Sequence, residues 1–340
     1  MTHYIGVDLA WGEGTATRAA NESGLALIDD TGRVLHASWV RGIAAVADWI
    51  AETAGPGSVL AIDAPLVIHN QSGMRLCERQ TGMGYGRWKV SANASNTVMG
   101  WQGGVALRNR LEEIGFRYSD GITPPNPLDR TFVECYPFTT IVGMEELGYE
   151  DERPRYKRLD KALTSTLGRQ GRAAACNELI RRMIGLATAN PPLDILSHEV
   201  SRMLVDEPSP IDNIPYKHRE DMLDALLCAW TAAIWHRHGD TRVQILGRDD
   251  TTDDRGRRAT IIAPARVEQR VAGRTMKVTR AASPAVSPPD TSAYDVAAAS
   301  LLMRMTAQAL SGVGKGAATE SSEFRVAWDE LALQLDRLSD

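Results

Sequence analysis

Apolar and polar positions alternate between two periods along this chain. HYIGVDLA, residues 3–10, is nearly continuous in apolar residues and predicts a first strand. GLALIDDTGRVLHASWV, residues 24–40, predicts a hairpin with Asp29-Asp30-Thr31-Gly32 at its turn. IAAVADWIAET has helical spacing and stops at Gly55-Pro56-Gly57. SVLAIDAPL is an unbroken apolar run, the mark of a strand buried on both faces. RLCERQ predicts a short helix, GMGYGRWKVSANASNTVMGWQGG a long loop, LRNRLEEIG a helix, PPNPLD an extended loop and RTFVECYP a further strand. Residues 138–200 are mostly helical and charged, and EDMLDALLCAWTAAIWHRHG predicts a helix that is apolar almost all round and packs on the sheet. VQILG and ATIIAPAR predict two late strands around the polar DDTTDDRGRR turn.

This order predicts an α/β fold whose mixed sheet is antiparallel over its first three strands, then parallel, with helices on its faces. The expected domain spans residues 1–265, with a helical insertion around 138–210. Residues 266–292, which include SPAVSPPDTS, have linker composition. Residues 293–340 form a helical C-terminal extension through YDVAAASLLMRMTAQAL and FRVAWDELALQLDRL, with apolar positions suited to self-association or a protein partner. The net charge of -5 offers no general basic surface, so composition alone does not point to nucleic acid. No leader precedes the first strand and no uncharged apolar run approaches the length of a membrane span, so the expected location is cytoplasmic. Cys77, Cys135, Cys176 and Cys228 are scattered without a C-x-x-C pair, as for reduced thiols and not for a zinc site.

The chemistry lies in acids that interrupt apolar strands. Asp8 in IGVDLA, Asp63 in LAIDAPL and Glu134 in FVECYP each cost desolvation unless paired or metal-bound. A single one could cap a turn. Three at the carboxyl ends of adjacent strands would converge. Asp221 and Asp224 lie three apart and share a helix face. A first-turn dipole role accounts for Glu220 and Asp221, but less well for Asp224 among Met222, Leu223, Ala225, Leu226 and Leu227. A cluster of three or four carboxylates makes a hard-oxygen site that suits Mg²⁺ or Mn²⁺. Two such ions would activate water and stabilise the leaving oxygen of a phosphodiester.

GVDLAWG, AIDAPL, VECYP and DMLDALLCAWTA together resemble the domain of unknown function 429 family, described as predicted RNase H-like nucleases, over residues 3–265. The D-x-x-D-A-L helix also resembles the last catalytic helix of RuvC-type resolvases. The resemblance implies an RNase H-like sheet and a metal-dependent nuclease acting on DNA or RNA. By position, Asp8 matches the metal-bridging strand aspartate, Asp63 the middle-strand acid, Glu134 the acid of E-x-Y-P, and Asp221 and Asp224 the helix acids. Resolvases commonly carry glutamate where this chain has Asp63.

Candidate substrate contacts are Arg87, Trp88 and Lys89, where an aromatic lies among cations, Lys157 in RYKRLDKAL, and Lys217 and His218 beside the acidic helix. Each also has a plain reading: Trp88 as core, the cations as a solvated face, His218 as a solvated helix start. Two other functions compete. An actin-like or sugar-kinase-like phosphotransferase would need a second G-x-D-x-G half, which the sequence lacks. A non-catalytic module binding nucleic acid or protein would be marked by a missing acid, and none of the expected acids is missing.

Overall fold

A computed structural model describes residues 2–12, 19–100, 102–160 and 162–269. Its centre is a six-stranded sheet in the order β3-β2-β1-β4-β6-β5. β1 (Tyr4–Asp8), β2 (Glu22–Ile28) and β3 (Val34–Arg41) form the antiparallel meander expected. β4 (Val59–Asp63) runs parallel to β1, and β6 (Thr131–Glu134) parallel to β4. The sheet is thus antiparallel and then parallel, with the strand order of the RNase H-like arrangement. β5 (Arg117–Tyr118) has no counterpart among the expected strands; it adds two residues parallel to β6 at the edge, too short to leave a periodic signal.

The pleat divides the apolar residues into two cores. Ile5, Val7, Leu25, Leu27, Leu60, Ile62 and Phe132 face one side, against α1 (Ile43–Thr53) and α3 (Gly103–Glu113). Tyr4, Ala26, Ile28, Val59, Ala61 and Val133 face the other, under α7 (Asn213–His238). α7 is buried continuously from Arg219 to Trp235, because the sheet covers one side and α4 (Pro137–Gly143) and β8 (Ile261–Pro264) pack on others. β8 pairs antiparallel with β7 (Val243–Leu246), so both late strands form as a separate two-stranded sheet.

Two glycines bring α7 unusually close. A Cβ on Gly6 would lie 1.9 Å from the Ala225 carbonyl oxygen, and one on Gly24 would lie 2.1 Å from that of Asp221. The helix backbone therefore rests directly on β1 and β2.

Three boundaries differ from the sequence reading. GMGY completes α2 (Leu76–Tyr85) instead of opening a loop, and Gly103-Gly104 begins α3. α7 starts seven residues earlier than its apolar run, with Pro215 in the first turn, where a missing N–H costs no intrahelical bond. Between β6 and α7 lie α4, α5 (Ser165–Ile184) and α6 (Glu199–Asp206). The expected linker beyond 269 and both tail helices lie outside the described residues. No described helix is long and apolar enough to cross a membrane, and all four cysteines are free and buried.

Candidate metal centre

Asp8 and Asp63 end neighbouring parallel strands and are paired in register. Being in register, they point to the same face of the pleat, the one α7 covers. Asp224 descends from α7 to meet them. Carboxylate oxygens of Asp8, Asp63 and Asp224 all lie within 4.8 Å of one another. Asp221 and Glu220 extend the acidic group along the same helix. They are not first-turn acids, since the helix begins at Asn213, and all three helix acids are buried.

Glu134 does not join them. It pairs in register with Ile62, one residue out of phase with Asp63, so it starts toward the opposite face. Both its oxygens are taken: Arg75 Nη2 donates to Oε1 at 2.6 Å, Arg75 Nη1 to Oε2 at 2.8 Å, and the Leu66 N–H to Oε2 at 2.9 Å. Arg75 Nε also donates to Glu78 at 2.8 Å. Glu134 is thus half of a buried bidentate ion pair, a correction to its expected place as a metal ligand. It shares with Asp63 the wall of a small open cleft of about 60 Å³, which Trp11 and Tyr136 also line.

Two lysines enter the acidic group from opposite sides. Lys157 Nζ lies 2.6 Å from Asp224 Oδ2 and 3.7 Å from Asp63 Oδ2. Lys217 Nζ contacts Asp221, with Glu220 at 3.2 Å and Asp8 at 3.9 Å. Tyr156 donates its hydroxyl to Asp224 Oδ1 at 2.5 Å. Asp224 Oδ2 meets no donor in hydrogen-bond geometry, although it is fully buried and close to Lys157.

Burial is the main cause of the titration behaviour. It pushes Asp63 up to about 8 and Asp221 to about 9, with Asp8 nearby adding to both and a lysine opposing each. Burial raises Glu220 to about 7, against Lys217, and raises Asp224 against Lys157. Both lysines are raised despite burial, because carboxylates surround them.

The residues present fit a hard divalent cation. The donors are carboxylate oxygens from three elements, and their spacing lies within reach of one ion.

The remaining candidates are placed elsewhere. Trp88 is fully buried, donates to the Glu150 carbonyl and packs in the main core, so it offers no face to a base. Arg87 lies over the Trp88 ring and donates to the same carbonyl, while Lys89 pairs with Glu152 at 2.7 Å. His218 stacks on Trp39 at 3.7 Å and bonds Glu22 at 2.8 Å, which ties the start of α7 to β2 and β3. Sequence reasoning misses Arg75, Glu78 and Tyr156. The Arg-x-x-Glu spacing at 75–78 and the tyrosine beside Lys157 are visible, but nothing local marks their distant partners.

The fold and this carboxylate group define an α/β protein with a mixed sheet and an acidic centre at the carboxyl ends of its two central parallel strands. Residues 6–251 match the family model described as Protein of unknown function (DUF429), and the chain belongs to that family. No curated protein and no solved structure matches it.

Proposed function

We propose that this protein is a Mg²⁺- or Mn²⁺-dependent nuclease that hydrolyses phosphodiester bonds of DNA or RNA. The observation that carries this reading is the meeting of Asp8, Asp63 and Asp224, from three separate elements, within the reach of one cation. A sheet and helix held together only by packing would not gather several buried acids at this cost. Asp8, Asp63, Asp224 and Asp221 would hold the metal, which when bound supplies Lewis-acid activation of water and charge stabilisation at the phosphoryl group.

The chain's own groups do the rest. Lys157 Nζ, beside Asp224 and Asp63, is placed to attract a phosphate oxygen into the site. Glu220, a buried carboxylate outside the metal set and 3.2 Å from Lys217, would take the proton from the attacking water. Water adds to phosphorus, the bond from phosphorus to the leaving sugar oxygen breaks, and that oxygen is protonated. The products expected from the fold analogy are 3′-hydroxyl and 5′-phosphate ends.

The test is cleavage of labelled single-stranded, duplex, hybrid and branched DNA and RNA with Mg²⁺ or Mn²⁺, beside an EDTA control and Asp8→Asn. Metal-dependent cleavage that falls at least about a hundredfold in Asp8→Asn is the expected result. Undiminished cleavage by folded Asp8→Asn overturns the site.

A further inference from the structure

The two lysines in the acidic group are held very differently. Lys217 sits on α7 itself, three and four residues before its partners Glu220 and Asp221, and its side chain is 58% exposed. Only carboxylates fix its ammonium, so it can swing into solvent. Lys157 is 18% exposed, and the residue before it is pinned. Tyr156 is fully buried, bonds Asp224 through its hydroxyl, and accepts a bond from the Tyr216 hydroxyl at 2.5 Å on its carbonyl. The Lys157 ammonium also lies 5.3 Å from the centre of the Phe138 ring. The stem of Lys157 is therefore anchored beside the acids at its backbone, and its ammonium is largely shielded from solvent, unlike that of Lys217.

Its position decides what else can bind. Mg²⁺ stands about 2.0–2.1 Å from its oxygens. An ammonium 2.6 Å from Asp224 Oδ2 and 3.7 Å from Asp63 Oδ2 fills the space an ion shared by those two oxygens would need. A second charge of the same sign there would also be repelled at close range. Asp8 and Asp221 instead contact the more exposed Lys217.

We infer that Lys157 is a permanent cation of this centre, standing where a second divalent ion would otherwise bridge Asp63 and Asp224. The centre then takes a single divalent ion, which displaces Lys217 from Asp8 and Asp221. The two-ion arrangement expected from the sequence becomes one ion and one ammonium. This rests on the reading of the carboxylates as a metal centre, but not on which substrate is cut.

The experiment is calorimetric titration of the full chain with Mn²⁺, with electron paramagnetic resonance of the loaded protein, for wild type, Lys157→Met and Lys217→Gln. Wild type should bind one Mn²⁺ with an isolated-ion spectrum. Lys157→Met should bind two, with the broadened spectrum of a coupled pair. Lys217→Gln should still bind one, roughly tenfold more tightly, since the ion no longer competes with an ammonium. Two ions in wild type, or a single ion in folded Lys157→Met, overturns the inference and leaves the metal centre standing. No specific ion in any of the three overturns the metal centre itself. Should Lys157→Met not fold, anomalous scattering from wild-type crystals soaked in Mn²⁺ decides by one peak or two.

Discussion

Two groups of buried acids lie near the ends of the same parallel strands, and they are built on opposite principles. Around Glu134, every carboxylate oxygen has a partner: Arg75 reaches both Glu134 and Glu78, and the Leu66, Arg75 and Ser95 N–H groups complete the set. Around Asp8, carboxylates crowd one another and depend on two ammonium groups. The first arrangement is closed and has nothing to offer a ligand. The second is held in a state that a divalent cation would relieve. Acids buried in strands therefore do not by themselves mark a site. What sets the second group apart is carboxylates from three elements crowded against one another, held by lysines and not by a bidentate arginine.

The largest separation between the two groups should appear in stability. Glu134→Gln leaves Arg75 buried without its bidentate partner and should cost about 3–5 kcal/mol in denaturant unfolding. Asp221→Asn removes one crowded carboxyl and should be neutral or stabilising in the metal-free protein. A loss of several kcal/mol in Asp221→Asn would erase the contrast.

A smaller effect should appear in pH. Asp63 near 8 and Asp221 near 9 keep their protons in the folded protein, whereas an unfolded aspartate loses its proton near 4. The folded state binds more protons throughout that interval, so stability falls as pH rises from about 5 to 8. Each retained proton contributes about 1.4 kcal/mol per pH unit at most. The melting temperature of metal-free protein should drop across this range, less so in Asp221→Asn. Mg²⁺ should raise it more at pH 8 than at pH 5. A melting temperature that climbs from pH 5 to 8 without metal contradicts the crowding.

The smallest effect belongs to the surface. Lys89 is exposed and paired with Glu152, far from either group in its bonding. Lys89→Ala should leave cleavage and metal binding unchanged and stability within about 0.5 kcal/mol. A clear loss of nucleic-acid affinity in that variant would restore Lys89 to a substrate track.

Much of this centre is legible from residues alone. Asp8 and Asp63 stand out because they break apolar runs, and Asp224 because its helix neighbours are all apolar. The phase of Glu134 is not legible. Alternation within VECYP says which residues share a face, but not which face aligns with that of AIDAPL. That depends on register between strands about seventy residues apart. Trp88 misleads for a related reason: cations beside an aromatic look alike whether the ring faces solvent or the core. Lys157 reads as part of a basic track because the tyrosine that anchors it finds its partners on α7, which no local pattern reports. The start of α7 is hidden because IPYKHR lacks the apolar density of residues 222–235.

Gly6 and Gly24 carry a consequence for how such a centre keeps its dimensions. Because main chain touches main chain there, the gap between helix and sheet is fixed by atoms every residue possesses. Substitutions elsewhere in the core can change volume and shape without altering that spacing. The two glycines act as a gauge block: they set how far Asp221 and Asp224 stand from Asp8, and leave the rest of the interior free to drift.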